Sequence, residues 1–308
     1  MPDLPRLKPD PIPAINPLPE YRVGGARKAL YDNTKRVMQV PWMGVVTMAF
    51  AHYEHFYTTL WHGLGATVAS EAFVGACATL RQDAEARVAD LDPPPIIARL
   101  REFGYAPREI ALIRDVVEVF SHGNMPYCLL ATLTRLALEC DFLPAQAEAS
   151  EYQSRHAPDV DVPFVLIEAH HADAPTRAVY DDIKTNLGLP FVNTDYRALA
   201  RWASYFALAW NDLRPVVATP AYRQTVEAVH ADFATAAHAM PNPSGLTAQA
   251  LRDAAEADRV ARGSSRSGAS LPVAAARFDH QCRFLSPSVA RGRLISREIE
   301  PLWPGRKC

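Results

Sequence analysis

The chain carries one sequence pattern twice, and this duplication constrains its fold more than any other feature. Residues 29–42 and 178–191 share Ala, Tyr, Asp, Lys and Pro at matching positions, with a constant shift of 149 (178 − 29). The shift continues without a gap, and aromatic residues then match aromatic residues: Tyr53 matches Trp202, Phe56 matches Tyr205, Tyr57 matches Phe206 and Trp61 matches Trp210. Duplicated segments of this length are expected to form two related units that pack as a homodimer does.

The apolar residues in both copies have helical spacing. In the first copy they recur three or four positions apart, as one helix face requires: Val45, Met48, Ala49, His52, Phe56 and Leu60. No segment shows the sustained alternation that is typical of strands. We therefore predict an all-α protein of two tandem helical repeats of about 130 residues each. The repeats are expected to form a pseudo-dimer with the active site between them.

Composition suggests where the repeats begin and end. The predicted parts are an extended N-terminal arm (1–28), repeat 1 (29–143), a Pro-rich linker (144–175), repeat 2 (176–290) and a C-terminal tail (291–308). Finer predictions are a helix break at 122–126, one helix over 195–211, a Gly/Ser-rich loop at 263–269 and a helix over 271–285.

Charge and cysteine content exclude several classes of function. The formal net charge is −2, which gives no reason to expect a nucleic acid or a membrane surface as partner. No stretch of apolar residues is long enough to span a membrane. The five cysteines are scattered and odd in number, which favours free thiols over a disulfide framework. The protein is expected to be soluble and cytoplasmic.

The two copies differ just after their shared proline. The second copy has Asn193-Thr194-Asp195 where the first has Gly44-Val45-Val46. Acids are common in the first turn of a helix because they oppose the helix dipole. Because Val46 occupies the matching position, however, the fold itself does not need an acid there. A helix N-terminus favours the ionised carboxylate, so Asp195 is a candidate base towards water or a candidate nucleophile towards carbon.

Three further residues are candidates for a binding site. Asn124 and Tyr127 lie between two apolar helices of the first copy, where an amide and a phenol hydroxyl can hold a water or a substrate group. The alternative is a loop asparagine and a core tyrosine. Trp42 follows Pro41, and its counterpart Phe191 is also aromatic, which favours packing, although an indole N–H can serve one end of a pocket.

Metal binding is not predicted. Two clusters contain metal-ligand side chains, residues 52–55 and residues 168–173. Neither matches an established ligand spacing, and the second lies in the predicted linker, where polar residues are expected.

These segments resemble a known family. Val40-Pro41-Trp42, the stretch from Gly123 to Leu130, and the stretch from Thr194 to Trp202 are similar to the group I 2-haloacid dehalogenases, the DehI-like family. The resemblance covers about residues 29–290 and implies the same duplicated all-α fold. It implies hydrolysis of a small 2-haloacid by a water that attacks the α-carbon directly, with inversion and without cofactor or metal.

The resemblance also implies roles for residues. Asp195 would be the general base and Asn124 would help to position the attacking water. Trp42 and Tyr127 would line the pocket, and Thr194 would help to hold the substrate carboxylate. Members of the family that accept both enantiomers carry Ala where this chain has Asn193, so the resemblance implies restriction to the D-(R) enantiomer. It also implies a homodimer, although the internal duplication is equally compatible with a monomer.

Three alternatives remain open from the sequence. The first is a dehalogenase that accepts both enantiomers. The second is another enzyme on a related helical fold, of the carboxymuconolactone-decarboxylase or alkylhydroperoxidase kind, although Cys128 lacks the Cys-x-x-Cys partner that a peroxidase needs. The third is a helical binding or scaffold protein, which gives no reason for an acid in only one copy.

Overall fold

The computed structural model describes residues 16–261 together with Leu4. Over these residues the protein is helical and contains no strand; one isolated bridge pairs Ser70 with Glu151. The predicted all-α class is confirmed. The predicted loop at 263–269, the helix at 271–285 and the C-terminal tail lie outside the described residues, as does half of the N-terminal arm.

Eleven α-helices follow a short 3-10 helix, Glu20–Arg22, in the described part of the chain. They are α1 (Gly25–Met38), α2 (Val45–Ala51), α3 (Glu54–Val68), α4 (Glu71–Ala89), α5 (Ile97–Glu102), α6 (Pro107–Glu139), α7 (Ala174–Leu187), α8 (Thr194–Leu199), α9 (Ala203–Val217), α10 (Pro220–His238) and α11 (Ala248–Ala261).

The shift of 149 that relates the two sequence copies also relates their helices. Adding 149 to both bounds of α1 gives the bounds of α7 (25 + 149 = 174, 38 + 149 = 187). The same addition converts α3 into α9 and α4 into α10, and the first residue of α2 into the first residue of α8. The local structure of the first copy therefore recurs in the second.

An indole hydrogen bond recurs at the same shift. The Trp61 Nε1 donates to Asn33 Oδ1 at 2.8 Å, and the Trp210 Nε1 donates to Asp182 Oδ2 at 2.6 Å. Each bond joins the first helix of a copy to its third helix, and both indoles are buried. A buried indole N–H needs an acceptor, and an amide or a carboxylate oxygen serves equally well here.

The chain forms two compact units, and each is built from separate stretches of sequence. Among the described residues, the first unit contains the chain up to Leu80, Gly123–Ala157 and the chain from Glu227 onward. The second unit contains Arg81–His122 and Pro158–Val226. These units are defined by compactness rather than by sequence correspondence, so the boundaries proposed for the two repeats stay a prediction.

The helix break expected at residues 122–126 is wrong. Helix α6 continues from Pro107 to Glu139 and contains Pro126. A proline in a helix removes one N–H donor and crowds the preceding turn, which usually kinks or ends the helix. Here Met125, Tyr127 and Cys128 are all buried around it, and burial of apolar side chains offsets the loss of one hydrogen bond.

The single helix expected over 195–211 is divided in two. Helix α8 ends at Leu199 and α9 begins at Ala203, because Trp202 has a non-helical backbone conformation. The backbone N–H of Tyr205, in the first turn of α9, donates to the hydroxyl of Tyr105 at 3.1 Å. A side chain that is distant in sequence thus satisfies a backbone donor that the helix leaves unpaired.

Helix α3 begins with a similar long-range cap. The side chain of its N-cap residue makes no capping hydrogen bond, and the buried carboxylate of Asp258 on α11 takes that role. The backbone N–H of His55 donates to Asp258 Oδ1 at 3.1 Å, and that of Phe56 donates to Asp258 Oδ2 at 2.8 Å. The negative charge also lies at the positive end of the helix dipole.

No helix in the described part of the chain is both long and apolar enough to cross a membrane.

We expect Asp258→Ala to lower the free energy of unfolding by about 1–3 kcal/mol, because two backbone N–H groups lose their acceptor. Urea unfolding with an unchanged m-value measures this loss. Asp253→Ala on the same helix is the matched control, since Asp253 is exposed; we expect it to change stability by less than about 0.5 kcal/mol. Equal effects of the two substitutions would contradict the capping role.

Candidate active site

Asp195 lies in the first turn of α8 and is buried, with 3% of its surface exposed. Its Oδ1 accepts a hydrogen bond from the backbone N–H of Tyr196 at 2.9 Å. The Tyr196 ring is fully buried and its centroid lies 6.4 Å from that of Phe206. A buried carboxylate that is held by the backbone of an anchored helix has a well-defined orientation, as a general base requires.

Helix α8 is attached to the segment that precedes α7. The backbone N–H of Ile167 donates to the carbonyl of Arg197 at 3.0 Å, and the Tyr180 hydroxyl donates to the carbonyl of Ile167 at 2.8 Å. Two equivalent bonds hold α2 in the first copy. The backbone N–H of Leu18 donates to the carbonyl of Met48, and the Tyr31 hydroxyl donates to the carbonyl of Leu18. The position of Asp195 therefore depends on a scaffold that does not involve Asp195 itself.

Thr194 is the first residue of α8 and is 7% exposed. Its Oγ1 accepts a hydrogen bond from Arg197 Nη2 at 3.2 Å. The other terminal nitrogen of Arg197 forms an ion pair with Glu168, with 2.6 Å between Nη1 and Oε1. Glu168 belongs to the His-rich cluster of the predicted linker, and its ion pair with Arg197 gives it a structural role.

Asn193 is the N-cap residue of α8. Its side chain makes no capping hydrogen bond, and its backbone carbonyl accepts from the N–H of Arg197 at 3.2 Å. The side chain is half-buried. Because helix capping does not use the carboxamide, this group is available to limit the space beside Thr194 and Asp195.

Trp42 and Tyr127 are in contact within the first unit. Their ring centroids are 6.0 Å apart at an interplanar angle of 53°, and the Tyr127 hydroxyl donates to the backbone carbonyl of Trp42. Burial raises the pKa of the Tyr127 hydroxyl well above its ordinary value, and the backbone of Gly44 acts in the opposite direction. Tyr127 therefore remains protonated at neutral pH and fixes the segment that carries Trp42.

Two glycines make this contact possible. A Cβ on Gly123 would lie 2.4 Å from Trp42 Cη2, and a Cβ on Gly44 would lie 2.8 Å from the Tyr127 ring. Any other residue at these positions would displace an aromatic ring. Sequence reasoning did not single out either glycine.

Asn124 follows Gly123 within α6 and is half-buried. The sequence predicted a loop asparagine or an asparagine aimed into a cleft, and the structure places it on a helix. Its amide makes no hydrogen bond to the described part of the chain, so it remains available to a ligand.

The candidate residues fall in both compact units. Trp42, Asn124 and Tyr127 belong to the first unit, and residues 193–195 belong to the second. In the first unit Trp42 and Tyr127 are in contact. In the second unit Thr194 is hydrogen-bonded to Arg197, which is also ion-paired with Glu168. The i,i+3 spacing of Thr194 and Arg197 was a usable signal for that pair.

No metal site is found among the residues that the structure describes. They contain no group of three or more His, Cys, Asp or Glu side chains arranged to hold an ion.

Comparison with known proteins now bears on this site. Residues 41–191 match the family described as "Halocarboxylic acid dehydrogenase DehI". An (R)-2-haloacid dehalogenase of Rhizobium sp. (strain NHG3) is 42% identical over 265 residues, which cover 86% of this chain and 99% of that protein. Another from Pseudomonas putida is 35% identical and covers 74% of this chain and 77% of that protein. The chain belongs to the DehI-like family of 2-haloacid dehalogenases.

Solved structures agree with this dehalogenase in fold. The structure of a complex of D-2-haloacid dehalogenase with L-LA matches this chain with a TM-score of 0.83 and 27% identity. The match covers 95% of this chain and 99% of the dehalogenase chain. A mutant D-2-haloacid dehalogenase in complex with D-2-CPA has a TM-score of 0.82 and the same identity and coverage.

We expect Gly123→Ala to destabilise this dehalogenase by about 1–3 kcal/mol, because the added methyl group overlaps the Trp42 ring. Activity should fall as well, since the Trp42 ring must move. Chemical unfolding and halide release measure the two effects.

The matched control is Gly75→Ala. Gly75 lies in α4, and a Cβ there meets no atom within 4 Å. That substitution should stabilise the protein by about 0.5–1 kcal/mol and leave activity unchanged. If both alanines had the same effect, the close approach of Gly123 to Trp42 would have no consequence.

Proposed function

We propose that this dehalogenase hydrolyses D-(R)-2-haloalkanoic acids to L-(S)-2-hydroxy acids and halide, with inversion at the α-carbon. The proposal rests on the buried carboxylate of Asp195 in the first turn of α8. The matching position in α2 of the first copy is Val46, so only one of the two copies has an acid there. The relatives named (R)-2-haloacid dehalogenase support the substrate class. A more distant relative from Pseudomonas sp. (strain 113), 24% identical, is named "2-haloacid dehalogenase, configuration-inverting".

In the proposed reaction Asp195 is the general base. It accepts a proton from a water molecule as the water oxygen forms a bond to the α-carbon. The carbon–halogen bond breaks on the opposite face and the halogen leaves with the bonding electron pair. The proton then passes from Asp195 to solvent, so the products are a 2-hydroxy acid, a halide ion and one proton. Attack from the opposite face inverts the configuration.

The attacking water needs a second partner to hold it in line with the leaving group. We assign this role to Asn124, because its amide is uncommitted in the described structure and carries both donors and an acceptor. The assignment requires Asn124 to face the same substrate as Asp195. Trp42 lines the pocket and Tyr127 supports it, while the Thr194 hydroxyl binds the substrate carboxylate.

We assign enantiomer selection to Asn193. It lies two residues before Asp195, and its side chain takes no part in capping α8. A carboxamide in this position fills space that a second substrate orientation would need. The reaction uses no cofactor and no metal in this proposal, because side chains supply the base, the group that positions the water and the carboxylate anchor, and solvent supplies the water. A homodimer remains part of the proposal.

The decisive experiment is chloride release from D-2-chloropropionate by the wild type and by Asp195→Asn. We expect the substitution to lower kcat by about 10²–10⁴-fold, the usual contribution of a general base. Asp182→Asn is a matched control, because it makes the same change at another aspartate. Asp182 accepts a hydrogen bond from Trp210, and its counterpart Asn33 already accepts one from Trp61 through an amide oxygen. It should retain full activity. Near-normal turnover by Asp195→Asn would refute the proposal.

A single turnover in isotopically labelled water separates direct attack from an ester intermediate. Direct attack places the label in the 2-hydroxy acid alone. Label in the Asp195 carboxylate would show that Asp195 attacks carbon itself, and would replace the proposed mechanism.

Enantiomer selection is tested with D- and L-2-chloropropionate on the wild type and Asn193→Ala. The wild type should release chloride from the D form alone, and the variant should gain measurable activity on the L form. Activity of the wild type on both enantiomers would support the alternative, a dehalogenase without stereospecificity, and would leave the role of Asp195 intact.

A further inference from the structure

Arg197 contacts the residue that we assign to the substrate carboxylate. It lies three positions after Thr194, on the same face of α8, and its Nη2 is 3.2 Å from Thr194 Oγ1. Its side chain is 18% exposed and its other terminal nitrogen is held by Glu168. Its backbone carbonyl accepts from Ile167. Arg197 is thus restrained at both its side chain and its backbone.

This contact determines how the Thr194 hydroxyl can be used. A guanidinium group carries only donors, so Thr194 Oγ1 must be the acceptor in the bond. The hydroxyl hydrogen then points elsewhere, and within the described structure it has no protein acceptor. A threonine inside a helix usually donates to the carbonyl four residues earlier, as Thr34 and Thr134 do. Thr194 is the first residue of α8 and has no preceding helical turn.

We propose that Arg197 is a positioning residue for substrate binding, because it orients the Thr194 hydroxyl as a hydrogen-bond donor to the carboxylate of the 2-haloacid. The proposal rests on the proposed function and extends it to a residue that need not touch the substrate. A buried donor without an acceptor calls for an acceptor from the ligand. An anionic carboxylate is the strongest acceptor that a 2-haloacid offers.

The positive charge of Arg197 strengthens this arrangement. A hydroxyl that accepts a bond from a cation becomes a better donor through its own hydrogen, because consecutive hydrogen bonds polarise one another. Glu168 balances the charge and holds the guanidinium in place. The matching residue of the first copy, Met48, makes no such contact, and its neighbour there is Val45 rather than a threonine.

The test is a double-mutant cycle with Arg197→Met and Thr194→Val, assayed with D-2-chloropropionate. Each single substitution should raise KM about tenfold, the effect of one charge-assisted hydrogen bond, with kcat within about threefold of the wild type. In the double variant KM should equal that of Thr194→Val alone, because Arg197 acts only through the hydroxyl. KM effects that multiply would overturn the proposal.

Arg99→Met provides the matched control. Arg99 is an ion-paired arginine of the same unit whose guanidinium binds Asp212. Its loss should lower thermal stability and leave KM unchanged. Arg197→Lys covers the case in which Arg197→Met folds poorly: lysine retains a charged donor but lacks the two-nitrogen fork that reaches both Glu168 and Thr194, so it should raise KM by less than Arg197→Met does. If Arg197→Met and Arg99→Met both lower stability and neither changes KM, Arg197 is structural only.

Failure of this inference is distinguishable from failure of the proposed function. One outcome is that the wild type releases chloride, Asp195→Asn releases none, and Arg197→Met retains the wild-type KM. This outcome supports the proposed function and refutes the role of Arg197. If Asp195→Asn remains active, the assignment of the site falls together with this inference.

Discussion

The attachment of α8 to the segment before α7 is the constraint on which the candidate active site depends. Ile167 bonds the carbonyl of Arg197 through its N–H and the hydroxyl of Tyr180 through its carbonyl. This backbone segment therefore joins the first helix of the second copy to the helix that carries Asp195. A six-residue helix has little stability of its own, so tertiary bonds such as these must hold it.

The duplication explains how the protein can place polar groups on such a helix. Leu18 makes the equivalent bonds in the first copy, and the aromatic pairs Tyr31–Tyr57 and Tyr180–Phe206 meet edge to face in both. None of these contacts uses the side chains of residues 193–195 or their counterparts 44–46. The supporting bonds are therefore the same with Gly-Val-Val in the first copy and with Asn-Thr-Asp in the second, so the second copy carries polar groups without loss of these bonds.

In the first unit, close packing against glycines and one hydrogen bond hold two aromatic residues in place. Trp42 and Tyr127 come from distant parts of the chain, and the missing side chains of Gly44 and Gly123 let the rings approach. The Tyr127 hydroxyl is engaged by the Trp42 carbonyl, so the phenol supports the tryptophan. The sequence indicated both aromatic residues but not this division of roles, because a hydrogen bond between residues 85 positions apart has no local signature.

The sequence by itself determined the all-α class, the positions of most helices and the correspondence at a shift of 149. It also showed that an acid, Asp195, is present in only one of the two copies. These follow from apolar spacing and from comparison of the two copies, which are local properties. Tertiary structure decided the rest: that α6 continues through Pro126, that Asp258 caps α3, and that Arg197 binds Glu168. Each depends on contacts between distant residues, whose burial and hydrogen bonds outweigh the local preferences that a sequence displays.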